Sequence, residues 1–422
     1  MTRFGLLSVV LFSVCWVSLC GVSAAAEEWT EFRGPAGNGH STVTGLPTQW
    51  SETENVAWRI EVPGKGWSSP ICFQKRLYLT TAVPVEKPEN GQSLHTLCYD
   101  AHSGELIWDR EIFVTDGKRS AKIHPKNSYA SPTPLTDGKR LFVHFGTHGT
   151  ACLDLEGKIL WQNNELIYAH VHGSGGSPVL VDNKLIMSCD GGDVQFVVAL
   201  DANTGKIAWK TPRTEPDAPK KFAFTTPLVL THAGQTQVVS PGPGAVCGYD
   251  VQTGKEIWKV KYNGYSVIPK PLFGNGLIYV CTGYDPPSSL LAIRPDGKGD
   301  VSETHIAWKV DKNVPQSASP LLIGKELYMI SDHGVASCLD AESGDKLWEQ
   351  RIGGDFSSSP IYADGHIFLL DEAGQTIILK PGRTFEEVAK NSIGEKTQAS
   401  YALGDGALFI RGEKSLFRIQ AN

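Results

Sequence analysis

One short pattern that keeps returning constrains this chain more than anything else in it. LCYDAHSGELIW (97–108) recurs as ACLDLEGKILW (151–161), VALDANTGKIAW (198–209), CGYDVQTGKEIW (247–258) and SCLDAESGDKLW (337–348), and a looser copy, LAIRPDGKGDVSETHIAW, ends at Trp308. Each copy reads as an alternating apolar strand, a tight turn carrying Asp and then Gly, and a second strand closed by Trp. The Asp side chain can accept N–H groups of its own turn, and Gly takes the positive φ that would strain other residues. These carboxylates are expected to build turns, not to catalyse.

A second signal precedes each copy, a Ser-Pro-like pair that opens an apolar strand. It stands at Ser69-Pro70, Ser131-Pro132, Ser177-Pro178, Thr226-Pro227, Lys270-Pro271, Ser319-Pro320 and Ser359-Pro360, and in degenerate form at Ser400-Tyr401. The spacing, roughly 40 to 60 residues, is that of one four-stranded propeller blade. Eight openings predict eight blades. After the last opening only ALFIRG and SLFRIQ remain, while NVAWRIEV (55–62) waits at the other end of the chain with Trp58 in the closing position. Pairing the two ends in one blade removes both open sheet edges. The expected fold is therefore all-β, an eight-bladed β-propeller of four-stranded antiparallel blades over residues 27–422, closed by strand 55–62 in the last blade. The blade tryptophans are then Trp58, Trp108, Trp161, Trp209, Trp258, Trp308 and Trp348.

Residues 1–26 read as a secretory signal: Arg3, an apolar run from Phe4 to Val22, and an A-x-A site at Ala24 and Ala26. Lipid attachment at Cys20 is disfavoured because Leu19 stands where processing wants a small residue. A periplasmic or secreted protein is expected, with no membrane-spanning segment after residue 26. The net charge of −6, without a Lys or Arg block, argues against nucleic acid as a partner. Seven cysteines remain after the signal, and Cys98, Cys152 and Cys338 each sit two before a turn Asp, where Ala199 stands in another copy. They are read as small core residues rather than as ligands or disulfides.

The repeat L-D-A-x-T-G-x-x-x-W resembles that of the pyrroloquinoline-quinone (PQQ) type propellers, which include quinoprotein alcohol dehydrogenases and the BamB-type outer-membrane assembly proteins. The opening EWTEFRGPAGNGHS, the segment GKGWSSPI and the stretch LFVHFGTHGTACLDLEGKILW are similar to the secreted members found in planctomycete-type bacteria. For an enzyme of this kind the resemblance implies PQQ in the central funnel, a calcium ion held by carboxylate and amide oxygens, an Asp base and often a vicinal disulfide. This chain has no adjacent cysteines, no evident acidic cluster at its blade openings and no long roofing insertion. The expectation is a binding or protein-interaction scaffold without a resident cofactor, monomeric, with envelope proteins or a small channel ligand as partners. The alternative is a quinoprotein-type alcohol or sugar dehydrogenase using PQQ with calcium.

No catalytic residues are assigned. Ligand contacts are expected at the channel mouth from Trp67, Tyr129, His172, Phe222, Tyr265, Gln316, Phe356 and Gln398, which sit just before the innermost strands and could stack on a flat or sugar-like ligand. His124, His144, His148, His170 and His172 cluster in sequence. His170 and His172 would share a strand face if extended, the one arrangement here that could suggest a metal. Asp296-Gly-Lys-Gly-Asp300 and Asp190-Gly-Gly-Asp193 resemble calcium loops but miss the EF-hand register and are read as turns. Ser174 lies between glycines without the strand-to-helix elbow of a hydrolase serine.

Overall fold

The computed structural model describes residues 28–118, 123–214, 220–285 and 287–421; the segment read as an export signal lies outside them. Eight separate sheets are formed, each built on four antiparallel strands that follow one another along the chain, apart from the last, which draws on both chain ends, and the fifth, whose fourth strand follows a short strand given to its neighbour. Blade 1 spans residues 71–114, blade 2 135–163, blade 3 179–212, blade 4 228–261, blade 5 272–310, blade 6 321–351 and blade 7 361–392. Blade 8 takes Ala402–Gly404, Ala407–Arg411 and Ser415–Ile419 from the end of the chain and Val56–Glu61 from its beginning as the outermost strand. Strand 55–62 thus closes the ring as expected. In blade 4 a two-residue strand, Gly299–Asp300, adds to the outer edge in parallel. No helix among the described residues is long and apolar enough to cross a membrane.

The Trp of each closing strand explains the spacing of the repeat. The Trp108 indole N–H donates to the Leu155 carbonyl in the next blade's turn, Trp161 to Ala202, Trp209 to Val251, Trp308 to Ala341 and Trp348 to Gly382. Trp58 does the same from blade 8 to blade 1, through the Ala101 and His102 carbonyls. Where the turn of blade 5 departs from the pattern, Gln237 relays the contact, accepting from Trp258 at 2.6 Å and donating to the Pro295 carbonyl at 3.0 Å. Beneath several of these rings lies the repeat's Gly. A Cβ on Gly157, Gly205 or Gly254 would fall 2.5–2.9 Å from the indole of the preceding blade.

The other repeat positions follow. Asp100, Asp201, Asp250 and Asp340 each accept two backbone N–H groups of their own turn, as expected of turn aspartates. The small residues two before them face the Trp across the ladder: Cys98 opposes Trp108, Cys152 Trp161, Ala199 Trp209 and Cys338 Trp348. The seven cysteines among the described residues are free and buried, and burial pushes the Cys98, Cys152 and Cys338 thiols up to about 12.

A second hoop runs around the axis. The blade-opening Ser69 donates its N–H to the Thr133 hydroxyl, Thr133 to Ser177, and Ser177 to Thr226, at 2.9–3.1 Å. Further round, Lys270 donates to Ser319, Ser319 to Ser359 and Ser359 to Ser400, at 2.9–3.0 Å. The hydroxyl accepts the N–H of the preceding blade, and the proline that follows has no N–H to satisfy in the crowded centre. Blade 2 corrects one register. Its opening pair is Thr133-Pro134, two residues beyond the expected Ser131-Pro132, since Leu135 begins the strand and Thr133 occupies the hoop.

The indole-on-glycine contact gives a measurable asymmetry. Gly254→Ala places a Cβ 2.5 Å from the Trp209 ring at φ +71°, whereas Gly276→Ala, at φ +76°, meets nothing within 4 Å. The first is expected to cost about 2–4 kcal/mol and the second about 1 kcal/mol in urea unfolding, the difference being the overlap with the indole. Equal losses would remove the contact from its structural role.

Candidate functional site

At one end of the axis the hoop opens into a cavity of about 360 Å³. Its wall follows a simple rule: the residue two before each blade opening lines it, namely Trp67, Ser131, Gly175, Phe224, Ile268, Ser317, Ser357 and Gln398. Beyond these, the loops contribute His124, Lys126, His172, Lys220, Phe222, Tyr265 and Tyr284, and Phe32 reaches in from the N-terminal segment.

Of the eight mouth residues expected from the sequence, Trp67, His172, Phe222, Tyr265 and Gln398 lie in this wall. Tyr129, Gln316 and Phe356 do not. Tyr129 was placed relative to Ser131-Pro132, and with the true opening at Thr133 it falls four residues before it and packs 5.8 Å from the His148 ring. Gln316 and Phe356 sit three before their openings, on the odd side of the alternation. The Gln316 side chain bonds Ser288 at 2.7 Å, and Phe356 is buried in the core between blades 6 and 7. Lys126, Lys220, Phe224 and Tyr284 were missed. Phe224 was legible from the rule of two; the others belong to loops whose path no periodicity records.

The wall is aromatic and basic. His172 meets Phe222 edge to face at 5.1 Å and His124 at 5.3 Å. Partial burial, then His124 and Lys220, hold the His172 imidazole below its ordinary value and favour the neutral ring. Lys220 stands 5.0 Å over the Tyr265 ring, a cation–π contact at the lip. Lys126 pairs with Glu372 at 2.8 Å across the mouth; burial opposes its charge, but the carboxylate prevails and its pKa is raised.

His170 and His172 do not share a face, because 170–172 is not a strand. Nε2 of His170 accepts the Thr147 N–H at 3.0 Å, and its ring packs 4.8 Å from Tyr168, away from the His172 contacts. Among the described residues no three His, Cys, Asp or Glu side chains are arranged to hold a metal ion. The glycine-spaced aspartates are engaged elsewhere. Asp190 forms a buried two-bonded pair with Arg213 at 2.6 and 2.8 Å, and Asp193 accepts the Ala169 and Val194 N–H groups. Asp300 is bound by Ser302 and Lys261, which hold its carboxyl down at about 2. Ser174 is buried, and the nearby His170 spends Nε2 on the backbone.

Sequence reasoning also missed a Ser–His–Asp line in blade 1: Ser93 Oγ is 2.8 Å from His95 Nε2, and Nδ1 is 2.6 Å from Asp109. The same hydroxyl donates to Glu111, so its proton is directed to a carboxylate rather than to a base that would activate it. Ser93 is moreover buried, which makes this a polar chain across two strands.

A closed eight-bladed propeller with an aromatic, lysine-flanked axial cavity is the class this fold and site define. Against known families, the profile described as outer membrane protein assembly factor BamB matches residues 52–220, 195–300 and 297–382, and the chain belongs to that family. BamB of Burkholderia pseudomallei (strain K96243) is 24% identical over 317 residues, 72% of this chain and 62% of that protein. BamB of Moranella endobia (strain PCIT) is 21% identical over 313 residues, 72% and 74% of the two chains. Among solved structures, BamB from Moraxella catarrhalis superposes with a TM-score of 0.57 at 13% identity, covering 86% of this chain and 99% of that one. The quinohemoprotein alcohol dehydrogenase from Comamonas testosteroni gives 0.66 at 11%, covering 94% and 81%. At such identities the structures establish the shared fold and nothing about chemistry.

The buried histidines behind the wall set a pH response. His144 lies wholly inside with Nδ1 2.8 Å from the Thr150 hydroxyl, and burial pushes its pKa down to about 4 from an ordinary 6.5. The unfolded chain therefore takes up this proton first. Stability contributed by the neutral ring is complete above pH 6.5 and is lost as the pH falls towards 4. Between pH 7 and pH 5 urea unfolding should lose about 2 kcal/mol through this group. His144→Gln, which keeps a polar partner for Thr150 without titrating, should lose correspondingly less over the same interval.

Proposed function

We propose that this protein is an exported, non-catalytic propeller scaffold of the cell envelope that holds a partner protein on the rim of blades 1–3. Family membership supports the class, and one observation carries the location. Leu106 and Ile107 on the outermost strand of blade 1, Leu160 on that of blade 2 and Ile207 on that of blade 3 are all exposed large apolar side chains on consecutive blades. The outermost strands of blades 5 and 6 expose no large apolar side chain, and that of blade 7 exposes Val388 alone. Exposed apolar side chains concentrated on three consecutive blades are what a docking surface needs. In this reading export follows cleavage after Ala26.

A quinoprotein reading is favoured by one feature, the flat aromatic surfaces of Trp67, Phe222 and Tyr265 in the axial cavity. The donor set fits half of what such an enzyme holds. Lys126 and Lys220 suit the carboxylates of a quinone, but no carboxylate is among the described residues of the wall to serve calcium, and Asn127 Oδ1 already accepts from Ser128 and Ser131. We therefore assign no resident calcium–quinone pair and derive no reaction through it.

Photo-crosslinking residues at Leu106 and Leu160 in the living cell should give one and the same envelope-protein adduct, with none at Ala307. The double variant Leu106→Glu/Leu160→Glu should weaken retention of that protein about tenfold or more. Equal adducts at all three positions, or none at any, would defeat the rim assignment. Titration of the purified protein with PQQ, with and without calcium, should show no saturable heat or absorbance change, and one-to-one binding dependent on calcium would replace this reading with the oxidoreductase.

A further inference from the structure

The scaffold reading uses the rim and leaves the axial cavity unused. The segment from Trp29 to Ser41 crosses the ring at one end of this cavity. Trp29 pairs with Cys72 of blade 1, and the Thr30 carbonyl accepts from Thr136 of blade 2. On the other side the His40 ring bonds the Leu322 carbonyl of blade 6 at 2.7 Å, and Gly39 and Ser41 bond Tyr362 of blade 7. Cys72, Thr136, Leu322 and Tyr362 each stand two residues after the proline of their blade opening, whereas the wall residues stand two before the opening, so the segment lies at the end opposite the mouth. Its Phe32 lines the cavity, which therefore ends there. A blind cavity of about 360 Å³ takes a compact molecule or the end of a chain and cannot thread a polymer.

Floor and wall differ in chemistry. Thr133, Ser177, Thr226 and Ser400 line the cavity, and each hydroxyl accepts one backbone N–H of the hoop. Among the described residues their own protons meet no acceptor. The side-chain amide of Gln398 also lines the cavity and bonds nothing among the described residues. Above this floor Trp67, Phe224 and Tyr265, each partly buried, present ring surface. Lys126 is paired with Glu372, and Lys220 is exposed at the lip over Tyr265, where water screens it, so neither demands an anionic ligand.

We propose that the cavity binds one neutral sugar ring, a free hexose or the terminal hexose of a glycan, with its C–H face on the aromatic wall and its hydroxyls on the hoop. A hydroxyl donates once and accepts twice, so hydroxyls set around the edge of a sugar accept the hoop protons and still donate to the Gln398 carbonyl. The C–H groups of one sugar face form an apolar patch that covers aromatic surface. A flat aromatic acid would cover the wall equally well, but its acceptors lie at one edge. Most of the hoop protons would then leave water without a partner, which costs free energy at each hydroxyl. The proposal is independent of the rim.

The test titrates D-glucose, D-galactose, D-mannose and N-acetyl-D-glucosamine into the purified protein, with calorimetry for affinity and saturation-transfer NMR for contact. At least one should bind saturably and one to one, with Kd about 1 mM or tighter. Phe224→Ala should abolish that binding. Should this variant fail to fold, Gln398→Ala, at a side chain that bonds nothing else, should fold and weaken binding about tenfold. The rim variant Leu106→Glu/Leu160→Glu should bind the sugar unchanged, which separates cavity from rim. The methyl glycoside of the bound sugar distinguishes the source: equal binding assigns a glycan end, and lost binding assigns the free hexose. No saturable binding of any of the four sugars, binding that survives both cavity variants, or saturable binding of 4-hydroxybenzoate in place of the sugars would overturn the proposal.

Discussion

Everything in this ring depends on an indole laid on a glycine. A Trp near the start of one blade's outermost strand can reach the turn of the next only if that turn has no side chain where the ring must lie, and only if a carbonyl there is free to accept the indole N–H. The repeat D-x-x-x-G-x-x-x-W supplies all three conditions at once: Asp folds the turn, Gly clears it for the preceding blade's indole, and Trp covers the turn of the next blade. The count of tryptophans then follows from topology. Blade 8 is the one blade whose third and fourth strands are not joined by a turn, since Ile419 and Val56 belong to opposite ends of the chain. Blade 7 therefore has nothing to cap, and Ala389 stands where the others have Trp. Trp50, from the N-terminal segment, packs near that position against Phe368 and is anchored through the Asn391 side chain.

The inner hoop works by the opposite economy. There the blades crowd together, backbone N–H groups would be stranded away from water, and at six of the blade openings a serine or threonine hydroxyl from the next blade receives one. The hydroxyls of the hoop line the floor of the axial cavity, and the residues two positions earlier and the loops above them form its wall.

This division explains what could be read from the sequence. Fold, blade number and ring closure were legible because Trp, Asp, Gly and the Ser-Pro pair are each forced by local geometry and repeat with it. The cavity was half legible. Trp67 and Gln398 obey the alternation that the opening pairs set, whereas Tyr129 was displaced by a register error of two in ASPTP, where two Ser/Thr-Pro pairs compete and only the strand start at Leu135 chooses between them. Gln316 and Phe356 stand one residue before the wall position, and their side chains turn instead to Ser288 and to the core between blades 6 and 7. Lys126 and Lys220 could not be read at all, for they owe their positions to an ion pair with Glu372, remote in sequence, and to the face of Tyr265.

The asymmetry of the mouth is what a repeat cannot dictate and what a function must use. At the position two before the opening, blades 6 and 7 present Ser317 and Ser357, while blades 1 and 4 present Trp67 and Phe224. Loops add Phe222, Tyr265, His172 and Lys220 on the side of blades 3 to 5. A ligand entering the axis therefore meets aromatic faces and positive charge on one side and hydroxyls on the other. The rim is uneven as well, with exposed leucines and isoleucines on the outermost strands of blades 1 to 3 and a lone exposed Val388 on that of blade 7. The structural positions of the repeat are satisfied without any of these residues, so the departures from eightfold regularity at the mouth and on the rim are not demanded by the fold.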